Sequence, residues 1–412
     1  MKKESAGAGR DAREGEPSRV GGTLLVVAIL LLAANLRAAL TSVAPLIGEI
    51  RAETGISNGV AGLLTALPLL AFGLLSPAAP RLARWLGTER ALFASLLLLG
   101  MGILLRSVGG VAVLFVGTAV LGAAIAAGNV LLPSLVKRDF PGRAGLMTSA
   151  YSTTMGIVAA VAAGVSFPVA QLAGFGWRGS LAVWALPTLL AAAVWLPYLR
   201  GDGPRNEASD RGLGRSGGLW RSPLAWQVTL FMGLQSLAYY VTLTWLPEIL
   251  QQGGMSAARA GWMLALSQAV AIPTMFLAPV MAGRRPSQRG IVAAAVGLNG
   301  AGALGLLLFG DAASALWVVL LGLGQGACFS LALTLFALRA PDPGHAATLS
   351  GMAQSVGYLL AAGGPFLFGV LRDVTGAWTV PLALLFAVLV CLMISGLGAA
   401  RDAHVAAAED AD

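Results

Sequence analysis

Arg37 is the residue whose placement is hardest to explain without chemistry. It lies in an apolar run from Val20 to Ile47, whose midpoint falls near residue 33 or 34. At ~1.5 Å of rise per residue it sits only about 5 Å past that midpoint. An arginine near the centre of a bilayer costs about 2.5–3.5 kcal/mol on insertion scales, so it must face a cavity or a partner. Two readings follow. In one, the side chain snorkels to the surface or pairs with a helix-end carbonyl. In the other, it offers its planar fork to an anionic or strongly polar small molecule.

Further polar residues recur inside apolar runs: Thr41, Asn129, Gln235, Tyr239, Tyr240, Gln268, Gln325, Gln354 and Tyr358. Thr41 is four residues from Arg37 and shares its helix face, and Gln354 shares a face with Tyr358. Each could equally be an interhelical hydrogen bond that only holds a bundle together. Arg37, Thr41, Asn129, Gln235, Tyr239, Gln268, Gln325, Gln354 and Tyr358 form the expected substrate-binding set. Asn35, about 200° around the helix from Arg37 at ~100° per residue, points elsewhere. Tyr151 and Thr154 are weaker candidates.

The 19 acidic residues avoid the middles of the runs; Glu49 and Glu248 come nearest, close to run ends. They are the candidates for proton coupling. Co-transport in which an anion carries the proton, and passive facilitation, are the alternatives. The three lysines are Lys2, Lys3 and Lys137, none in a Gly-Lys-Ser/Thr context, so no nucleotide site is expected. Two histidines, His345 read as a loop residue and His404 in the tail, and two cysteines, Cys328 and Cys391 in apolar runs, give neither metal spacing nor a Ser-His-Asp set. We expect no catalytic residues, no metal, no cofactor and no enzyme activity; an intramembrane hydrolase is the enzyme alternative.

The elements that must hold these residues are membrane helices. Of 412 residues 57% are hydrophobic and 11% charged, against about 25% charged in an ordinary soluble domain. A water-soluble globule could not cover that much apolar surface. The net charge of +8 comes in short bursts between apolar runs, as membrane topology produces, and does not form the basic face that nucleic acid requires.

Apolar runs of about 20 residues span a bilayer. Twelve are legible, near 20–47, 58–79, 91–107, 111–136, 144–171, 179–199, 224–249, 257–282, 290–309, 312–338, 346–370 and 378–400. The first exceeds the ~7–15 residues of a cleavable signal's apolar core, so it reads as a retained span. The domain reading is a cytoplasmic tail at 1–19, a six-helix half at 20–200, a linker at 201–222, a second half at 223–400 and a tail at 401–412. With the N-terminus cytoplasmic, 21 Lys and Arg fall on the cytoplasmic side and 5 on the other. That alternation supports both count and orientation.

The halves repeat each other. Gly55-Ile-Ser-Asn-Gly-Val-Ala-Gly62 and Gly254-Met-Ser-Ala-Ala-Arg-Ala-Gly261 share a pattern at an offset of 199 residues. Pro45 and Pro247 follow at 202, Pro141-Gly142 and Pro343-Gly344 at 202, and Trp177 and Trp378 at 201. Tyr239 is thereby the counterpart of Arg37. Parallel duplication of a six-helix unit is an architecture of alternating-access transporters.

The two-half pattern and the basic segment Pro80-Arg81-Leu-Ala-Arg84-Trp-Leu-Gly-Thr-Glu89-Arg90 resemble the major facilitator superfamily, although Ala83 occupies the acidic position of that family's loop motif. Within it, Asn35-Leu36-Arg37, Gly128-Asn129-Val-Leu-Leu-Pro133, Lys137-Arg138-Asp139-Phe140-Pro141, Thr244-Trp245-Leu-Pro247 and Gln354-Ser-Val-Gly357-Tyr358 resemble the cyanate permease and 2-nitroimidazole transporter branch. The resemblance implies an all-α membrane protein of twelve helices in two pseudo-symmetric halves, with span one lining a central cavity, usually acting as a monomer. The function expected is a permease of the plasma membrane moving a small anion or small polar compound by alternating access. A multidrug exporter of the same fold and a non-transporting receptor are the alternatives. Its partners would be the small-molecule substrate and the lipid bilayer, with no nucleotide and no nucleic acid.

Overall fold

The computed structural model describes residues 19–140, 143–172, 174–200, 219–310, 312–341 and 343–405. The N-terminal tail, the 201–218 part of the linker and the end of the C-terminal tail lie outside the described residues. The first half holds α1 (Arg19–Thr41), α2 (Ile47–Thr54), α3 (Asn58–Leu75), the short α4 (Ala79–Leu86), α5 (Thr88–Ser107), α6 (Val111–Asp139), α7 (Ala144–Gln171), α8 (Gly176–Ala182) and α9 (Ala185–Trp195). The second holds α10 (Pro223–Gln252), α11 (Ala257–Ala282), α12 (Arg289–Phe309), α13 (Ser314–Leu338), α14 (Pro343–Thr375) and α15 (Thr379–Ala399).

Among the described residues, eleven stretches are long and apolar enough to cross a bilayer. The twelfth crossing is α10, 30 residues long, whose hydropathy is diluted by Gln227, Gln235, Tyr239, Tyr240, Thr242 and Thr244. Leu97, Met101, Leu104, Leu186, Leu189, Leu190 and Ile394 stand exposed on the outside of the bundle, which only a hydrocarbon solvent makes comfortable. An even number of crossings brings Arg19 and Ala400 to one face; we call it the terminal face and the opposite one the far face.

The repeated Gly-x-Ser-x-x-x-Ala-Gly pattern has a mechanical explanation. Gly55 and Gly254 take positive φ, 70° and 99°, closing the turn at the far face. Ser57 and Ser256 then cap α3 and α11, their hydroxyls accepting from the Val60 and Arg259 amides at 3.2 and 3.4 Å. Ala61 and Ala260 are fully buried. The closing glycines, Gly62 and Gly261, are where the halves touch: a side chain at Gly62 would run into the Pro365 carbonyl of α14, and one at Gly261 would lie 3.2 Å from the Ala163 carbonyl of α7. Two seams, α3 against α14 and α7 against α11, therefore join the halves.

Several boundaries differ from the sequence expectation. The first run, read as one span to residue 47, breaks at Thr41; a turn and a 3-10 segment, Ala44–Leu46, lead into α2. The second ends at Leu75 and continues as the surface helix α4 rather than to residue 79. The sixth starts at Gly176 and breaks at 183–184. His345, expected in a loop, lies in the first turn of α14. Arg106, near the end of the run at 91–107, is only 2% exposed. The apolar run continues across Thr41 as far as Ile47, so apolar periodicity does not mark the break in the first span.

Candidate functional site

The last turns of α1 bring Arg37, half-buried, to the seam between the halves. Its Nη1 donates to the Tyr239 hydroxyl at 3.5 Å, and its guanidinium carbon lies 5.7 Å from the Tyr239 ring centroid. Tyr239 in turn donates to Gln268 Oε1 at 3.0 Å. Tyr240 and Tyr358 lie within the electrostatic reach of Arg37. The rings lock one another: Tyr239 meets Tyr240 edge-on at 5.0 Å, and Tyr358 meets Phe72 of α3 at 5.5 Å. One cation from the first half thus faces neutral partners from α10, α11 and α14 of the second.

Among the described residues no carboxylate stands within ion-pair distance of Arg37. A guanidinium that meets only phenols keeps most of its five donors and its charge available. In a poorly solvated seam, such a group attracts an anion or the oxygen end of a strong dipole, and the surrounding ring faces favour a flat partner.

The other expected residues divide. Gln268 belongs to the Arg37 chain, and its Nε2 donates to Ser267 Oγ at 3.4 Å. Tyr358 adjoins the chain. Asn129 is exposed on α6, next to Gly128, which packs on Leu36. Gln354, half-buried, donates to Ser350 within its own helix at 2.8 Å. Thr41 is fully buried and donates to the Arg37 carbonyl at 3.1 Å. Gln235 is buried with its amide on Met232 O and Ser236 Oγ, 3.1 and 2.7 Å away in α10. Gln325 ties α13 to Thr242 of α10 at 2.9 Å. Asn35 donates to the Leu31 and Pro187 carbonyls and accepts from Thr188, turned away from Arg37 as expected. On α7, Tyr151 and Thr154 are half-buried, and Thr154 donates to Ala150 O.

On the far-face side of Arg37 the seam is sealed in layers. Thr65 and Thr244 share a hydrogen bond at 2.8 Å, and Trp245 Nε1 donates to the Pro365 carbonyl at 2.9 Å. Next comes the Arg51–Glu248 ion pair. Outermost, Asp373 of α14 accepts from the amide and side chain of Asn58, at 3.1 and 2.7 Å, and from the Gly59 amide at 2.8 Å. A carboxylate from one half thereby caps a helix of the other. The two acidic candidates are both engaged: Glu248 with Arg51 and within reach of Arg372 and Asp373, and Glu49 accepting from Gln171 at 2.5 Å. Thr65, Asp373 and Arg106 were not singled out from the sequence. For Arg106 a signal existed, a charge inside the run 91–107; for Thr65 and Asp373 only the pairing reveals the role.

Comparison with known proteins bears on the family and the fold. Residues 25–365 match the family model of the Major Facilitator Superfamily. The chain is 48% identical over 382 residues to an uncharacterized transporter, YycB, of Bacillus subtilis, covering 92% of this chain and 94% of that one. It is 47% identical to the 2-nitroimidazole transporter of Escherichia coli, over 93% of this chain and 96% of that one. It is 30% identical to the cyanate transport protein CynX of Escherichia coli, over 90% and 95% of the two chains. Among solved structures, a D-xylose–proton symporter superposes with a TM-score of 0.73 at 16% identity, over 92% of this chain and 97% of that one. An inward-facing bacterial homolog of the human lysosomal transporter Spinster superposes at 0.72 and 17%, over 93% and 97%. These two likenesses concern the fold alone.

Proposed function

Because this chain belongs to the major facilitator superfamily, and is a multi-pass small-molecule permease, we propose that its cargo is a small anion or small flat polar heterocycle of the cyanate or 2-nitroimidazole kind. Arg37 recognises the cargo's oxygen-rich or anionic end, and Tyr239, Tyr240, Tyr358 and Gln268 complete the site. The observation that carries this reading is a guanidinium at the seam with only neutral partners from the other half. The names of two relatives support the same chemistry.

The half at 20–200 and the half at 223–400 rock about the site, joined by the linker at 201–222. The terminal face is cytoplasmic, from the excess of Lys and Arg there, in the plasma membrane. The chain works as a monomer, without nucleotide, nucleic acid or catalytic chemistry. Glu248, faced by Arg51, Arg372 and Asp373, and Glu49, faced by Gln171, are the coupling carboxylates.

Counterflow in vesicles reconstituted with the purified chain tests the reading. Labelled 2-nitroimidazole or cyanate should exchange against the unlabelled compound in the absence of any ion gradient. Exchange of bulky amphipathic drugs alone would identify a multidrug exporter, and no exchange of any compound would identify a receptor.

A further inference from the structure

Arg106, in the last turn of α5, is a further buried arginine that the recognition scheme leaves unused. It lies near the far-face end of α5, 2% exposed. Its Nη1 donates to the Ala39 carbonyl at 2.8 Å and its Nη2 to Ser42 Oγ at 3.4 Å, while Nε has no partner. Among the described residues no carboxylate stands within ion-pair distance of it. A buried charge without a counter-charge is costly and calls for a reason. The negative end of a helix dipole is one partial compensation, and α1 ends at Thr41, within the same turn as Ala39.

The second half of the molecule shows that the fold itself does not require this arginine. Gly102 of α5 packs against Leu121 of α6, and Gly302 of α12 packs against Leu321 of α13, so this region repeats at an offset of 200. The counterpart of Arg106 is therefore Leu306, which is buried and lines an apolar pocket with Val241, Thr242 and Leu246 of α10. There α10 runs on without a break from Pro223 to Gln252. Where the first half has a broken helix and an arginine, the second has a continuous helix and a leucine.

The broken helix is the one that carries Arg37. Two side chains hold its last turn: Thr41 donates to the Arg37 carbonyl and Arg106 to the Ala39 carbonyl. The Arg37 guanidinium otherwise rests on Tyr239, which belongs to the other half and must part from it when the halves rock. From these contacts, and resting on the reading of Arg37 as the recognition residue, we infer that Arg106 is a positioning residue for transport: it clamps the broken end of α1 onto α5, so that Arg37 holds one orientation toward the cargo in every state of the cycle.

The test replaces Arg106 with the second half's own solution, Arg106→Leu, alongside Arg106→Lys, with 2-nitroimidazole counterflow as the probe. In Arg106→Leu, folded yield and melting temperature should match the parent, the half-saturating concentration should rise about tenfold, and the maximal rate should stay within about twofold, the signature of lost cargo binding rather than lost turnover. Arg106→Lys, which can still donate to one carbonyl, should recover much of the affinity. A substrate-independent measurement runs in parallel: with Cys328→Ser and Cys391→Ser as background, the alkylation rate of Arg37→Cys should change severalfold when Arg106→Leu is added. Unchanged half-saturation and unchanged alkylation would overturn the inference, as would collapse of the folded yield in both Arg106 variants, which would make Arg106 a fold residue. If Arg37→Lys leaves affinity intact, the recognition reading itself fails; if Arg37→Lys weakens binding and Arg106→Leu does not, only the positioning role falls.

Discussion

The tyrosine that faces Arg37 holds two bonds at once, accepting from the guanidinium and donating to Gln268. Tyr239→Phe keeps the ring and deletes both. With a net hydrogen bond to a charged group worth ~1.5–3 kcal/mol and a neutral one ~1, apparent affinity should fall about tenfold or more while the amount of folded chain stays unchanged; titration of the counterflow rate checks it. Gln235→Leu is the contrasting case, because its amide is occupied inside α10. It should leave affinity within about twofold of the parent, since a contact that never reaches the cargo removes no binding. Arg37 stood out in the sequence because a charge in an apolar run is conspicuous on its own. Tyr239 was reached through the repeat, as the counterpart of Arg37. The polar residues nearby could not be sorted that way: whether a glutamine faces a cavity or its own helix depends on neighbours such as Ser236 and Thr242, which periodicity does not weigh.

At the scale of elements, the far-face seal joins a glycine contact to a carboxylate cap. Gly62→Val places branched carbon against the Pro365 backbone, which cannot move aside as a side chain would. The seal should then fail to close. A cysteine introduced by Thr65→Cys, at a position only 4% exposed beneath the Asp373 layer, should become alkylated faster from the far face in that background than in the parent. Asp373→Asn keeps the shape but weakens a charge-assisted cap on α3. A cap residue is worth ~1 kcal/mol, so the expected outcome is a modest drop in melting temperature together with the same rise in Thr65→Cys labelling. The turn at Gly55–Ser57 was legible as a repeat, because positive φ and a hydroxyl cap are demands that few residue types meet. The break in α1 was not, because Pro247, the repeat counterpart of Pro45, sits inside an unbroken α10, so the proline pattern alone does not decide where a helix breaks. Apolar patterning carries straight across the break.

At the scale of the whole molecule, twelve crossings and a 200-residue repeat follow from composition and spacing, and the fold matches them. Their contacts do not: the seams are made by α3 on α14 and α7 on α11, which no pattern within one helix discloses. The Arg51–Glu248 pair crosses the seam that has to open. Glu248→Gln should therefore abolish uptake driven by a pH gradient while leaving gradient-free counterflow in place, and uptake unchanged in both Glu248→Gln and Glu49→Gln would remove the coupling assignment. The account as a whole depends on one unpaired cation in the seam recognising the cargo. Its most direct test is the half-saturating concentration of the best-transported counterflow probe in Arg37→Lys, which keeps the charge and deletes the fork. A rise of about tenfold or more, corresponding to ~1.4 kcal/mol or more of lost binding, is the predicted result; a half-saturating concentration equal to that of the parent would contradict it.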